Sequence, residues 1–207
     1  MPTPPAFWDQ LADKYAAQPV EDPQAFERKI AFTRQALRPD SRVLEVGCGT
    51  GSLALRLIDA CGRYDALDYS EQMLRIARDK AQGTPTLRFH QSTLEDAPFP
   101  DASFDVALAF SILHLVPERA AFLARLHALL KPGGQLISST TCIGNTWAPL
   151  GAAIWVLQRL GKAPWVADLS TSTMRTELEE AGFQEVEEVD VGAKDTVVFL
   201  SARKPLA

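Results

Sequence analysis

A nine-residue stretch, from position 43 to position 51, combines an acidic residue with closely spaced glycines. The order Val-Leu-Glu-Val-Gly-Cys-Gly-Thr-Gly places Glu45 in an apolar run just before the first glycine. Glycines permit sharp bends and close approach of the backbone to a ligand. A carboxylate in an apolar strand is unfavourable unless it has a partner. The stretch therefore predicts a nucleotide-like ligand at the end of a parallel strand, with a partner for Glu45 at the turn.

The spacing of the glycines separates two kinds of nucleotide site. A dinucleotide fingerprint reads G-x-G-x-x-G, whereas residues 47–51 read G-x-G-x-G. With Glu45 included, the stretch resembles the first motif of class I S-adenosylmethionine-dependent methyltransferases. The resemblance implies S-adenosylmethionine (SAM) as the cofactor and S-adenosylhomocysteine (SAH) as its product. It assigns to the cofactor site Glu45, Gly47, Cys48, Gly49 and Gly51. The alternative is an ordinary strand-to-helix turn.

Strands and helices alternate around this turn. The hydrophobic pattern predicts strands at 43–46, 64–68, 87–91, 104–110, 135–141, 186–191 and 196–201, with helices at 52–61, from 70, from 117 and at 171–181. Two further helices are expected within 7–37, divided at 19–23. The short link at 192–195 predicts a closing hairpin, so one strand near the C-terminal end runs antiparallel. The expected class is α/β, a doubly wound seven-stranded mostly parallel sheet. This resembles the methyltransferase fold over residues 40–203.

The length of 207 residues suits one domain. We expect residues 1–207 to form a single methyltransferase domain. Residues 1–38 are expected to supply N-terminal helices covering the cofactor, and residues 142–170 a helical insertion over the acceptor side. The insertion contains Trp147, Trp155 and Trp165, which either roof an apolar acceptor pocket or pack as an ordinary core helix.

Net charge and cysteine content limit the classes of partner that this chain can be expected to bind. The net charge of −5 argues against nucleic acid. The three cysteines show neither a disulfide framework nor metal spacing, so no metal is expected. No signal peptide or membrane span is predicted, which favours a cytoplasmic protein without a membrane partner. A small-molecule acceptor is the expected partner, and the oligomeric state stays open.

Three residues near the end of the second predicted strand suit the adenosine part of the cofactor. Asp68 lies about 20 residues beyond the glycine turn, where nucleotide folds place the acid that binds a ribose, and the resemblance assigns it that role. A turn or helix-capping aspartate is the alternative, and Asp65 is a weaker candidate for the ribose. Tyr69 and Met73 are expected to line the adenine slot.

The adenine edge has two candidate partners in the segment after the third predicted strand. Aligning residues 96–101, Asp-Ala-Pro-Phe-Pro-Asp, with the family segment puts Thr93 where the family has an acid. Thr93 and the backbone N–H of Leu94 are therefore expected at the adenine, with Glu95 as the alternative partner.

The reactive end of the cofactor has its own candidates. The spacing of Trp8, Asp9, Ala12 and Tyr15 resembles an N-terminal segment of the family whose tyrosine covers the cofactor; a core anchor is the alternative for Tyr15. At the end of the fourth predicted strand, the expected cofactor-lining residues are Phe110 and Ser111. His114 is a candidate general base because its ordinary pKa lies near neutrality, with a structural role as the alternative.

Methyl transfer depends more on alignment of the reactants than on a catalytic triad or a metal ion. It is an in-line displacement at a carbon that the sulfonium already activates, so the absence of a triad or metal cluster from the sequence is consistent with it. We expect transfer to a small organic acceptor, with attack by O, N, C or S left open. The alternatives are a non-catalytic SAM-binding regulator and a nicotinamide-dependent oxidoreductase.

Overall fold

The computed structural model describes residues 3–145 and 163–206. Seven strands form one sheet in the order β3-β2-β1-β4-β5-β7-β6. The strands are β1 (Arg42–Val46), β2 (Arg63–Asp68), β3 (Leu87–Gln91), β4 (Phe104–Phe110), β5 (Leu130–Thr141), β6 (Gln184–Glu188) and β7 (Val197–Arg203). The strand order reverses between β1 and β4, and such a switch point is where open α/β sheets bind ligands.

Six α-helices flank the sheet. They are α1 (Pro5–Ala17), α2 (Pro23–Gln35), α3 (Ser52–Leu57), α4 (Glu71–Lys80), α5 (Arg119–Leu129) and α6 (Thr171–Glu180) among the described residues. The side chain of Asp22 caps α2 by accepting from the N–H of Ala25 at 3.0 Å. Ser70 caps α4 in the same way, accepting from the N–H of Met73 at 3.2 Å.

The reversed strand is β7. It pairs antiparallel with β5 on one side and with β6 on the other, while the other strand pairs are parallel. Its register with β5 runs from Gln135 opposite Arg203 to Thr141 opposite Val197. The predicted fold class is therefore confirmed, including the single antiparallel strand.

Some predicted boundaries differ from the structure. Strand β5 begins at Leu130, before the predicted start at 135, because Leu130 pairs with Phe104 ahead of a register shift. Strand β6 lies at 184–188, two to three residues earlier than predicted, and Glu185 has a φ of 51° at an irregularity in its pairing. The helix predicted at 52–61 is α-helical only to Leu57 and ends in a 3₁₀ turn (Ile58–Ala60).

The sheet is covered on both faces. One core cluster packs the sheet against α5 and α6 through residues such as Leu126 and Leu178. The other packs it against α2, α3 and α4 through Ile30, Leu57 and Leu74. This leaves the carboxyl edge of the parallel strands available for a site. Most of the predicted insertion, with Trp147 and Trp155, lies outside the described residues.

A buried ion cluster surrounds Asp65 in β2, whose side chain is fully buried. Its carboxylate accepts from Arg42 Nε at 3.0 Å and Arg63 Nη2 at 3.0 Å, and lies 2.8 Å from His90 Nε2. Burial would raise the pKa of Asp65, but the hydrogen bonds from Arg63, His90 and Arg42 outweigh it and lower the pKa. Asp65 is fully buried and lines neither cavity at the carboxyl edge of the sheet, so its position does not suit a ribose ligand. His90, which had no role in the sequence interpretation, belongs to this cluster.

Membrane-spanning helices and metal-binding clusters are both absent from residues 3–145 and 163–206. No helix there is long and apolar enough to cross a membrane. Among the same residues, no group of three or more His, Cys, Asp and Glu side chains is arranged to hold a metal ion.

Candidate functional site

The turn after β1 depends on glycine for two physical reasons. Gly47, Gly49 and Gly51 have φ values of 70°, 52° and 74°, in the left-handed region that favours glycine. A side chain at Gly51 would begin only 3.0 Å from Cβ of Ala77, so helix packing excludes one there. A Cβ placed on Gly49 would have Cε1 of Tyr15 as its nearest neighbour, 3.8 Å away. The turn is therefore open above Gly49, beneath the tyrosine ring.

Three amides of this turn are engaged within the protein. The N–H of Cys48 donates to the carbonyl of Leu67 at 2.9 Å, and the N–H of Gly51 donates to the carbonyl of Cys48 at 3.0 Å. The N–H of Gly49 donates to Oδ2 of Asp68 at 2.8 Å. These bonds fix the turn, and they leave these three amides without a free hydrogen for a ligand.

Two cavities meet at the turn. The larger, about 440 Å³, extends over the ends of β1, β4, β5 and β7. The smaller, about 300 Å³, extends over the end of β2 and the segment after β4. Both are lined by Tyr15, Gly47, Gly49, Phe110 and Ser111. The shared lining makes one continuous site at the switch point of the sheet.

The smaller cavity brings together the residues predicted for the adenosine. Asp68, Tyr69 and Met73 line it, together with Trp8 from α1. Asp68 Oδ1 also accepts from the N–H of Ser70 at 2.9 Å, so it orders the entry to α4 as well as the glycine turn. Burial raises the pKa of Asp68, and its backbone hydrogen bonds oppose that shift. Asp68 therefore orders the turn and also lines the smaller cavity.

Glu45 lines the larger cavity and is 3% exposed. The hydroxyl of Tyr64 on β2 donates to its Oε2 at 2.8 Å. The partner is therefore in the neighbouring strand and not at the turn, where the sequence placed it. Burial raises the pKa of Glu45 to about 8, although the Tyr64 hydrogen bond opposes the shift. With this pKa, Glu45 is mostly protonated at neutral pH.

Ligand binding at Glu45 is expected to be coupled to proton release. A ligand ammonium beside the carboxylate would lower its pKa, so SAH binding at pH 7 should release up to one proton. Affinity should then rise as the pH is raised from 6 towards 8, and level off above the pKa of about 8. Calorimetry in two buffers of different ionisation enthalpy measures the released protons.

A Glu45→Gln variant is the matched control for this proton release. Its side chain keeps nearly the same shape but cannot titrate, so the release should disappear. Wild-type binding without proton release would show that no cation of the ligand meets Glu45.

Helix α1 is fixed over the site by Asp9. Its Oδ1 accepts from the hydroxyl of Ser70 at 2.6 Å and from the N–H of Gln72 at 3.1 Å. These bonds join α1 to the first turn of α4, where an acidic group is favourable. They position Trp8 and Tyr15 along the cavities, which gives Asp9 in the N-terminal motif a physical role.

Tyr15 extends over the glycine turn. It is 49% exposed, which does not fit the alternative of a core anchor. Partial burial of the phenol, with the nearby carboxylates of Asp68 and Glu45, raises the pKa of Tyr15. The phenol is therefore neutral at physiological pH and suited to covering a ligand.

Replacing Asp9 with alanine is expected to loosen α1. The variant should bind SAH several-fold more weakly and lose about 1 kcal/mol of stability, because two hydrogen bonds at the start of α4 are removed. Calorimetry and urea unfolding measure the two effects. Asp13→Ala removes only an exposed ion pair with Arg75 between the same two helices, so it should alter both quantities far less. Unchanged SAH affinity in the Asp9 variant would contradict a covering role for α1.

The end of β4 is supported from behind. Phe110 makes an edge-to-face contact with Phe199 of β7, with ring centroids 5.7 Å apart, and Phe32 of α2 contacts the same ring at 5.5 Å. Ser111 has a φ of 56°, uncommon for a residue other than glycine, and its N–H donates to the carbonyl of Ser139 at 2.7 Å. Such strain is found at ligand sites, where the surrounding structure maintains it.

His114 lines the smaller cavity from a 3₁₀ turn (Leu113–Leu115) and is 9% exposed. Its Nδ1 is buried without a hydrogen-bond partner in the described part of the chain. Burial lowers the pKa of His114 to about 4. At neutral pH the ring is uncharged and a weak base, so it is better suited to hydrogen bonding than to removing a proton.

The residues predicted for the adenine edge lie elsewhere. Thr93 is exposed; its hydroxyl donates to Oδ2 of Asp96 at 2.9 Å and accepts from the N–H of Asp96 at 3.2 Å. Leu94 is 1% exposed and belongs to the core. Neither these two nor Glu95 lines either cavity. A tight turn closed by Thr93 and Asp96 directs this loop away from the site.

Lys29 is a cavity residue that the sequence interpretation missed. Its Nζ donates to the hydroxyl of Ser139 at 2.9 Å, and both residues line the larger cavity. The available signal was its position four residues from both Ala25 and Thr33, which are buried on the same face of α2.

Comparison with known proteins gives several relatives. A family profile described as a methyltransferase domain matches residues 44–138. The demethylmenaquinone methyltransferase of Lysinibacillus sphaericus is 31% identical over 118 residues, covering 55% of this chain and 50% of that protein. The 27-O-demethylrifamycin SV methyltransferase of Amycolatopsis mediterranei is 31% identical over 159 residues, covering 75% and 58%. The chain thus spans half to about three-fifths of the length of these relatives.

Solved structures give the same fold. A SAM-dependent methyltransferase of Thermotoga maritima superposes with a TM-score of 0.73 at 21% identity, covering 96% of this chain and 98% of that one. The [4+2]-cyclase SpnF superposes with a TM-score of 0.77 at 20% identity, covering 100% and 97%. At these identities the likeness establishes the fold.

The sheet order, the reversed β7 and the glycine turn beside Asp68 define the Rossmann-like methyltransferase fold. With the family profile over residues 44–138 and the relatives, they support a class I SAM-dependent methyltransferase. The resemblance stated from the sequence is therefore confirmed, and the family and fold imply SAM as the cofactor.

Proposed function

We propose that this chain transfers a methyl group from SAM to a small organic acceptor. The observation that carries the proposal is the continuous site at the glycine turn, with Asp68 in the smaller cavity and Glu45 in the larger. A ribose diol suits the first carboxylate, and an ammonium suits the second. The chemistry of the site therefore fits both ends of SAM.

The cofactor would use the lining residues as follows. Asp68 would accept from the ribose hydroxyls, while Tyr69 and Met73 would contact the adenine. Glu45 would face the methionine ammonium across the larger cavity. The open space above Gly49, where the nearest neighbour of an added Cβ would belong to Tyr15, would admit the chain of atoms between the two ends.

The protein contributes alignment and exclusion of water. SAM supplies a methyl group already activated by its sulfonium. Tyr15, Phe110 and Ser111 line both cavities and would hold the reactants in line; such alignment is worth about 7–11 kcal/mol of the barrier. His114, which is neutral and lines the smaller cavity, would orient the acceptor by a hydrogen bond.

Two observations support a small organic acceptor: the names of the relatives and the residues that line one side of the smaller cavity. The two relatives are named for demethylmenaquinone and 27-O-demethylrifamycin SV, which are small organic molecules. Pro164 and Val166, in the described end of the predicted insertion, line the smaller cavity. We infer that residues 142–170 cover the acceptor side, that residues 1–38 cover the cofactor, and that residues 1–207 act as one cytoplasmic domain.

A non-catalytic SAM-binding role is the second candidate. The fold alone does not determine the reaction. A structural neighbour with the same fold, for example, is described as a [4+2]-cyclase. A catalyst must turn over, whereas a regulator only binds.

Methyl-labelled SAM incubated with the purified protein and a pool of apolar and phenolic metabolites tests the proposal. Label in an organic product, with release of SAH, is expected. SAH binding without transfer to any fraction would favour the non-catalytic role. Thermal stabilisation by NAD(H) but not by SAH would overturn both.

A further inference from the structure

The larger cavity contains a cation with no carboxylate partner. Lys29 and Lys194 both line it. Lys194 is paired with Glu21, and both of these side chains are mostly exposed. Lys29 donates to the neutral hydroxyl of Ser139, and no ion pair found among the described residues includes it. The cavity therefore presents one ammonium group that is free to meet an anion.

The surroundings of Lys29 favour such an anion. Burial lowers the pKa of Lys29, and the charge of Asp22 only partly opposes the shift. Asp22 is engaged as the cap of α2, with its Oδ1 accepting from the N–H of Ala25. A partly buried ammonium gains more from a nearby carboxylate than an exposed one does, because water screens it less.

Three amides of the glycine turn are not available to bind a carboxylate. A carboxylate in the larger cavity needs hydrogen-bond donors, but the N–H groups of Cys48, Gly49 and Gly51 donate within the protein. Lys29 has two further ammonium hydrogens after its bond to Ser139. Glu45 in the same cavity becomes negatively charged when a ligand ammonium beside it lowers its raised pKa. The lining with a bound ligand is therefore complementary to a zwitterion.

We propose that Lys29, held in place by Ser139, binds a carboxylate in the larger cavity. The favoured source is the α-carboxylate of the cofactor's methionine tail, with Glu45 facing its ammonium. An acceptor carboxylate is the other source of the same chemistry. The inference rests on the proposed use of SAM and adds a specific binding group to it.

Two ligands that differ in one group test the donor source. SAH and decarboxylated SAH share the adenosine and the amine, but only SAH has the carboxylate. Lys29→Met is expected to weaken SAH binding by about 10- to 100-fold and to change binding of the decarboxylated ligand by less than about threefold. Lys29→Arg should restore much of the SAH affinity. Lys14→Met, at an exposed lysine that lines neither cavity, is the control and should bind both ligands like the wild type.

Benzoate, a simple carboxylate, tests whether Lys29 binds the acceptor instead of the cofactor. If Lys29→Met binds SAH normally, benzoate is titrated into the SAH complexes of the wild type and the variant. Benzoate binding that depends on Lys29 would assign the group to the acceptor. Unchanged SAH affinity with no Lys29-dependent benzoate binding would overturn the proposal. Failure of the wild type itself to bind SAH would overturn the proposed function instead, and thermal unfolding confirms that each variant is folded.

Discussion

An Asp68→Ala variant is expected to bind SAH about 10- to 150-fold more weakly than the wild type. The change removes charge-assisted hydrogen bonds to the ribose diol, worth about 1.5–3 kcal/mol. It also releases the N–H of Gly49, which Asp68 holds at 2.8 Å. Isothermal titration calorimetry at pH 7 measures the loss.

Two further variants show whether Asp68 acts directly. Asp68→Asn retains most of the shape but loses the charge, and it should lie between the wild type and the alanine variant. Asp79→Ala removes an exposed acid of α4 and should leave the affinity unchanged. Normal SAH affinity in Asp68→Ala would place the ribose elsewhere.

An Asp65→Asn variant is expected to lose about 3–5 kcal/mol of unfolding free energy, because basic groups of the buried cluster lose their counter-charge. Arg42 and Arg63 would keep their positive charges near a neutral amide. Urea unfolding at pH 7 measures the difference. Asp65 lines neither cavity, so the SAH affinity of the folded variant should be preserved.

The stability difference caused by Asp65 should depend on pH with a defined sign. The folded-state pKa of Asp65 is lowered, so its contribution is fully present above the ordinary aspartate pKa of about 4. It is lost as the pH falls through the lower folded-state value. Asp59→Asn breaks an exposed pair with Arg34 and should change stability little. Equal stability of Asp65→Asn and the wild type would show that the cluster contributes no net stability.

The features that could be predicted are those encoded by neighbouring residues. The glycine spacing, Glu45 and the apolar run before them lie within nine positions. Asp68 follows from the strand that leads to it. The closing hairpin follows from a connection too short for a parallel crossover. These local signals fixed the class of fold and placed the site at one edge of the sheet.

The features that could not be predicted depend on contacts between distant parts of the chain. Lys29 meets Ser139 across 110 positions, and Asp9 meets Ser70 across 61. Local spacing places Lys29 beside two buried positions of its helix and Asp9 within the N-terminal motif, but it does not reveal either partner. Thr93 shows the converse, because its alignment with a family position gave no information about the turn that it closes with Asp96.

Phe199 connects the binding site to the order of folding. It lies on β7, which inserts between β5 and β6, and its ring supports Phe110 at the junction of the two cavities. Pairings between distant segments form slowly because they close large loops. During synthesis on the ribosome, the pocket therefore stays unfinished until β7 has emerged and inserted. The cofactor would then bind only after the whole sheet has assembled. Its binding energy would therefore not stabilise the earlier folding intermediates.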